Sequence, residues 1–207
     1  MSSGSYLIGV GGGSASGKTS ISHKIQEAID SGDCTLISSD CFYKELSQSD
    51  LQNLHNYNWD HPDAFDFEEM QHCLSKLLNG EEVNIPVYDY VNNRRSDTPI
   101  AAKPTRVIIL EGIMALYDPK IRDMMDLKIF VHTDSDECLA RRILRDTQYR
   151  GRDVLSVINQ YRRFVKPAFD EFISPMMKHA DIIVPRGAEN KVALDLLTKN
   201  IKLTIES

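Results

Sequence analysis

The chain has 207 residues, 42% of them hydrophobic, which is ample for one core and cramped for two, so a single domain over residues 1–207 with small insertions is expected. A net charge of −6 and a pI near 5.5 exclude a general attraction to nucleic acid, so any basic cluster should be local and directed at small anions. Cys34, Cys41, Cys73 and Cys138 show no Cys-x-x-Cys or His/Cys metal spacing and read as reduced core or spectator thiols.

Residues 1–5 carry neither the basic region nor the apolar stretch of a signal peptide, and no run is long enough to span a membrane, so the expected location is the cytoplasm. An apolar run at residues 6–10 leads into Gly12-Gly13-Ser14-Ala15-Ser16-Gly17-Lys18-Thr19, and Ile21, Ile25 and Ile29 follow at helical spacing. Strand, glycine loop and helix in this order make the phosphate-binding pattern Gly-x-x-x-x-Gly-Lys-Thr. Its glycines let backbone N–H groups converge on phosphate oxygens, its lysine reaches the terminal phosphates, and its threonine hydroxyl can hold Mg²⁺. The start of the helix adds a positive dipole end. Taken alone, the pattern leaves kinase, switch GTPase and motor-type ATPase open.

Residues 35–39 read as a short buried strand ending at Asp40, a carboxylate placed either to meet a ligand at the sheet's C-terminal edge or to cap the next turn. Residues 41–66 are polar and aromatic without a period, which predicts a long functional loop. Phe67, Met70, Leu74, Leu77 and Leu78 predict an amphipathic helix over 67–78, ended by Asn79-Gly80. The alternating stretch 83–91, interrupted by Pro86, and the return over 98–103 predict a small hairpin inserted at about 83–104. Consecutive aliphatic residues from Val107 to Leu110 predict a strand buried on both faces and ending in Glu111. At that strand end phosphate-loop proteins carry an acidic residue that holds Mg²⁺ directly or through water.

A further buried strand at 127–131 precedes a helix carrying Arg141, Arg142 and Arg145, and then come Arg150 and Arg152. Five arginines within twelve residues of an acidic chain suit a lid, at about 145–153, that closes over polyphosphate. The alternative is a solvated helix face paired with Asp134, Asp136 and Glu137. A helix over 154–164, a break at Val165-Lys166-Pro167, a second helix over 168–179, a strand at 180–185 and a terminal helix over 190–205 complete the chain. Five strands alternating with helices predict an α/β fold, a five-stranded parallel sheet flanked by helices on both faces.

From about residue 6 to residue 201 the chain resembles the uridine kinase (uridine-cytidine kinase) family of P-loop kinases. The likeness rests on the glycine loop at Gly12, Ser39-Asp40-Cys41-Phe42-Tyr43, Asp60-His61-Pro62-Asp63-Ala64-Phe65-Asp66 and Pro86-Val87-Tyr88-Asp89-Tyr90. It continues through Glu111-Gly112-Ile113, Ala140-Arg141-Arg142-Ile143-Leu144-Arg145-Asp146, Arg150-Gly151-Arg152-Asp153, Gln160-Tyr161, Phe164-Val165-Lys166-Pro167-Ala168-Phe169 and Ile183-Val184-Pro185-Arg186-Gly187. The resemblance implies transfer of the ATP γ-phosphate to the 5′-hydroxyl of uridine or cytidine, with ATP contacts from Gly12 to Ser20 and from Glu189 at the nucleoside end. It implies Asp40 as the base, Thr19, Asp40 and Glu111 around Mg²⁺, and Lys18, Arg145 and Arg150 on the reacting phosphates. It gives Asp60 and Arg142 to the ribose hydroxyls, Tyr88 and Gln160 to the base, and Arg152 to both the lid and the nucleoside. Tyr43, Trp59 and Tyr90 would add aromatic faces for the pyrimidine. A homotetramer and end-product inhibition by CTP or UTP are implied on the same ground.

Two positions depart from the family. Asn93 stands where histidine is usual, and Trp59 where phenylalanine is common. If residues around 90–94 are extended, Asn93 faces the base and Asn92 the opposite side. Rival readings fit less of the chain. A switch GTPase needs Asn-Lys-x-Asp, whereas Asn190-Lys191-Val192-Ala193 lacks the aspartate. A kinase of another small alcohol, such as nicotinamide riboside, pantothenate or phosphoribulose, would not keep the whole 88–95 hairpin. A non-catalytic nucleotide-binding protein would be expected to lose the Asp40 carboxylate.

Overall fold

The computed structural model describes residues 4–29, 31–89 and 92–206. In chain order these form β1 (Tyr6–Gly12), α1 (Lys18–Ile29), β2 (Cys34–Ser38), α2 (Gln48–Gln52), α3 (Phe67–Leu78), β3 (Val83–Ile85), β4 (Tyr88–Asp89), β5 (Arg94–Arg95) and β6 (Ile100–Ala102). There follow β7 (Val107–Glu111), α4 (Pro119–Arg122), β8 (Leu127–His132), α5 (Ser135–Tyr149), α6 (Val154–Gln160), α7 (Lys166–Ala168), β9 (Ile182–Pro185) and α8 (Lys191–Glu206).

The strands predicted as buried are those of one parallel sheet, in the order β2, β7, β1, β8, β9. The run Val107 to Leu110 is unbroken because both faces of the sheet are covered. Val107 and Ile109 pack with Ile21 and Ile25 of α1 and Leu194 and Leu197 of α8, while Ile108 and Leu110 pack with Met70, Leu74 and Leu77 of α3. Full burial of each such side chain is worth about 1.5–3 kcal/mol. On α8, Leu194, Leu197 and Ile201 turn inward, whereas Val192 and Leu196 are exposed.

The sheet order places β1 centrally, with the chain leaving it first to one side and then to the other, which opens a crevice at the C-terminal strand ends. Register completes the geometry. Val10 lies beside Glu111 and Ser38 beside Glu111, so the start of the glycine loop and both strand-end carboxylate positions share one edge.

Helix α3 has the predicted bounds. The Asp66 carboxylate accepts from the Glu69 N–H at 2.9 Å to start it, and Gly80 at φ 81° follows its end. The inserted hairpin is two antiparallel ladders, β3 with β6 and β4 with β5, interrupted at Pro86 and Val87. The stretch 41–66 has more order than its composition predicts: a tight turn at Ser39–Phe42, helix α2 capped by Ser47 and Asp50, and a bridge between Tyr43 and Phe65 that closes the excursion.

The expected break at Pro167 is absent. Residues 154–179 keep helical backbone throughout, with wide π-type turns at Tyr161–Val165 and Phe169–Ile173 on either side of α7. Pro167 falls in the first turn of α7, where an N–H has no α-type partner, and the widened turn before it relieves the ring's clash with the preceding carbonyls.

All four cysteines are free, and burial pushes the Cys34, Cys41 and Cys73 thiols up to about 11, so these stay protonated at neutral pH. Among the described residues no helix is long and apolar enough to cross a membrane.

Candidate active site

The glycine loop is braced from behind. Thr133 Oγ1 donates to the Ser16 carbonyl at 2.9 Å, and Gly187, at φ 59°, comes so close that a Cβ there would fall 2.5 Å from the same oxygen. The Phe169 ring lies against Gly13. Within the loop Ala15 sits at φ 61°, a left-handed conformation that costs a non-glycine residue about 1–3 kcal/mol and that the surrounding contacts hold. Lys18 is only 7% exposed, and its Nζ donates to the Gly13 carbonyl at 2.9 Å. Burial lowers its pKa, while the nearby Glu111 and Asp40 carboxylates oppose that shift. Ser14, Ala15, Gly17, Lys18, Thr19 and Ser20 line a cavity of about 1120 Å³, with Gly12, Gly13 and Ser16 behind them.

At the base of this half, Thr19 Oγ1 donates to Glu111 Oε1 at 3.2 Å, and Asp40 lines the cavity alongside. Burial raises the Glu111 pKa, Lys18 pulls it back, and the like charge of Asp40 adds to the rise. Thr19, Asp40 and Glu111 form an all-oxygen donor set with two crowded carboxylates, the chemistry a hard cation such as Mg²⁺ relieves. Among the described residues no cluster of three or more His, Cys, Asp or Glu side chains forms a self-sufficient metal cage. Mg²⁺ that shares its shell with phosphate oxygens needs only one or two carboxylates.

The other half of the cavity is made by side chains from separate segments. Tyr43, Trp59 and Tyr88 meet edge to face, with ring centroids 5.3 Å (Tyr43 to Trp59), 5.2 Å (Tyr43 to Tyr88) and 5.6 Å (Trp59 to Tyr88) apart. Beside them Asp60 is buried; desolvation raises its pKa, and the Arg142 guanidinium opposes the rise. Arg142 donates through Nη1 to Ser14 Oγ at 2.8 Å and through Nη2 to Gln160 Oε1 at 3.0 Å, tying the glycine loop to α5 and α6. Gln160, expected to address the base, has its Oε1 occupied by two arginines, since it also accepts from Arg152 Nη1.

Asn93 lines the cavity from a turn, not from an extended strand: its φ is 51°. Asn92 is turned to the Asp89 carboxylate, its N–H to Oδ1 at 3.1 Å and its amide nitrogen to Oδ2 at 2.6 Å. The separation of the two asparagines therefore comes from a turn with its own hydrogen bonds, which an alternation argument does not anticipate. Tyr90 lies outside the described residues.

Arg145, Arg150 and Arg152 line the roof with Arg142. Arg141 behaves differently: its Nε pairs with Glu137 at 2.7 Å and its Nη2 with Glu189 at 2.6 Å, at the cavity end where Ser20 and Ala188 also lie. Thr133, Gly187, Arg95 and Asp146 support the site and escaped the sequence reading, because their contacts reach across 26 to 171 positions or converge on one carboxylate. Arg95 carries the acceptor wall, donating from Nε to the Tyr43 carbonyl at 2.9 Å and pairing through Nη1 with Glu69 at 2.7 Å.

The sequence profile of the Phosphoribulokinase / Uridine kinase family matches residues 7–193. The chain belongs to this family. Within the family it is 49% identical to the uridine/cytidine kinase UKL1, chloroplastic, of Arabidopsis thaliana, over 95% of this chain and 40% of that one. It is 45% identical to the uridine kinase of Staphylococcus haemolyticus over 96% of each. The chain thus spans about 40% of the length of the plant relatives it matches. Phosphoribulokinase from Rhodobacter spheroides shares the family fold, with a TM-score of 0.64 at 18% identity over 89% of this chain and 71% of that one.

Proposed function

We propose that this chain is a pyrimidine ribonucleoside kinase that transfers the γ-phosphate of ATP to the 5′-hydroxyl of uridine and cytidine, giving UMP and CMP. One observation carries the reading: a single cavity has Lys18, Thr19, Glu111 and Asp40 at the glycine loop and a buried Asp60–Arg142 couple beneath an aromatic wall at the other end. The names of the two relatives support the same acceptor class.

The chemistry follows from these parts. Asp60 accepts from ribose hydroxyls and Arg142 donates to them, which suits a neutral sugar. The rings of Tyr43, Trp59 and Tyr88 hold a planar base. The 5′-hydroxyl then points at Asp40, which takes its proton while the 5′-oxygen bonds to the γ-phosphorus and the bond to the β,γ-bridging oxygen breaks, so that ADP leaves. Lys18, Arg145 and Arg150 balance the charge that spreads over the transferring phosphoryl group, and Arg152 helps close the roof against water. Thr19, Asp40 and Glu111 would hold Mg²⁺, and when bound the ion neutralises charge on the β- and γ-phosphate oxygens. Ser20, Ala188 and Glu189 mark the end assigned to the donor nucleoside.

The test is labelled uridine, cytidine and nicotinamide riboside, each incubated with ATP and Mg²⁺ and resolved by thin-layer chromatography. UMP and CMP are expected. Turnover of nicotinamide riboside with neither pyrimidine nucleoside overturns the acceptor assignment. The family likeness also supports a homotetramer, which light scattering reads directly.

A further inference from the structure

Behind the roof of the cavity lies a carboxylate that the reaction as derived does not use. Asp146, on the last turn of α5, is 0% exposed and does not line the cavity, yet four arginines that do line it converge on its side chain. Arg145 Nε donates to Oδ1 at 2.8 Å. Arg150 Nη1 stands 3.6 Å from Oδ1, Arg142 Nε 3.6 Å from Oδ2 and Arg152 Nη1 3.9 Å from Oδ2. The backbone carbonyl of the same residue accepts from the N–H groups of Arg150 and Arg152, at 3.2 Å and 3.1 Å.

We propose that Asp146 is a positioning residue, the resident counter-anion that keeps Arg142, Arg145, Arg150 and Arg152 gathered at the cavity roof before phosphate arrives. Four guanidiniums that converge on one site repel one another, and each long side chain has rotamer freedom to lose. One negative charge at their backs offsets the repulsion. The grip is loose by the standard of guanidinium–carboxylate pairs, which close bidentately at about 2.7–2.9 Å. Here one of the four contacts is that short, and among the described residues Oδ2 finds no hydrogen-bond partner. Arg142 and Arg152 are held by Gln160 as well, whereas Arg145, on the single short bond to Asp146, is ordered yet can turn toward a polyphosphate, which is preorganisation rather than a competing lock.

This inference rests on the reading of the chain as an ATP-dependent kinase, though not on which nucleoside accepts. The discriminating variant is Asp146→Asn, measured for kcat and for binding of the β,γ-imido analogue of ATP by calorimetry. Removing one negative charge makes the cavity more positive, so analogue affinity should stay within about twofold or tighten, while misplaced arginines lower kcat about 10- to 100-fold. Asp146→Glu restores the charge and should recover at least part of the lost kcat. If Asp146→Asn does not fold, Asp146→Glu alone carries the test, with reduced kcat at near-normal analogue affinity. The proposal falls if Asp146→Asn turns over like the wild type, or if analogue affinity and kcat fall together without recovery by Asp146→Glu. A wild-type chain that binds no analogue overturns both this proposal and the kinase reading, whereas a chain that binds it but phosphorylates neither uridine nor cytidine overturns the acceptor assignment alone.

Discussion

At the glycine-loop end of the cavity, position is set by backbone: a parallel sheet delivers the loop, Ala15 and Gly17 adopt left-handed φ values, and Lys18 is docked on the Gly13 carbonyl. At the acceptor end, position is set by side chains from separate segments, held by the Tyr43–Phe65 bridge and by Arg95 with its contacts to Tyr43 and Glu69. The first region has little to rearrange when a ligand arrives, which is how charge stabilisation is kept ready at the reacting phosphate. The second hangs on two short ladders and on aromatic edges, where small changes of side chain alter fit more than they alter chemistry. Substitutions should divide accordingly, with losses in kcat at one end and changes in KM or in substrate ratio at the other.

Lys18→Ala should show the largest loss, about 10³- to 10⁵-fold in kcat, since it removes a charge that acts on the transferring phosphoryl group. Its thermal midpoint should hold or rise, because burial already disfavours the Lys18 cation and that penalty disappears with it. A variant that keeps a tenth of wild-type turnover would break the comparison at its strongest point. Asp40→Asn keeps the shape but cannot take the proton, and about 10²- to 10⁴-fold should be lost from kcat with nucleoside KM little changed. A rise in KM with kcat intact would move Asp40 to the binding half.

Asp60→Asn tests that half directly, with nucleoside KM expected to rise about 10- to 100-fold, the worth of a charge-assisted hydrogen bond, and kcat changed less. The sign of its pH dependence follows from burial. Desolvation raises the Asp60 pKa above the ordinary 3.8, so on acidification the carboxylate takes up its proton earlier than an exposed one and loses its charge toward Arg142. Nucleoside KM in the wild type should therefore climb as pH falls through that raised value, and the climb should vanish in Asp60→Asn. Steady-state kinetics across pH 4 to 8 would show a flat KM in both proteins if Asp60 does not meet the sugar.

The same division explains what was legible in the sequence. Phosphate loop, strand ends and helix α3 are local patterns, and each was readable from residues a few positions apart: Gly12 to Thr19, Val107 to Glu111, Phe67 to Leu78. The parallel sheet followed from the alternation of elements. What stayed hidden depends on distant partners or on backbone choices that composition does not encode. Lys18 was legible as a phosphate-facing lysine, but not its burial or its bond back to the Gly13 carbonyl. Pro167 looked like a helix stop and is absorbed by a wide turn on each side. Asp146 sat in plain view beside Arg145, but its role shows only once Arg142, Arg150 and Arg152 arrive at the same carboxylate.

The smallest effect should come from Asn93, where the acceptor wall meets a second cleft of about 220 Å³ that Leu46, Leu51 and Arg94 also line. At φ 51° this position favours asparagine or histidine over most residues, so Asn93→His can keep the turn while changing what is presented to the base. The one imidazole nitrogen that faces the base is a donor or an acceptor according to the tautomer, whereas the amide ends in both a donor and an acceptor, so the amide should tell the 4-oxo of uracil from the 4-amino of cytosine less sharply. Asn93→His should then shift the uridine-to-cytidine ratio of kcat/KM about 3- to 10-fold, the worth of one neutral hydrogen bond. Asn92→Ala should leave the ratio alone, because its backbone N–H and its side-chain amide are both turned to Asp89, although the turn itself loses support. If the ratio moves with Asn92→Ala and not with Asn93→His, the base reaches the hairpin from the other side of the turn. Specificity would then lie in the Asp89 half of the hairpin rather than at the junction of the two clefts.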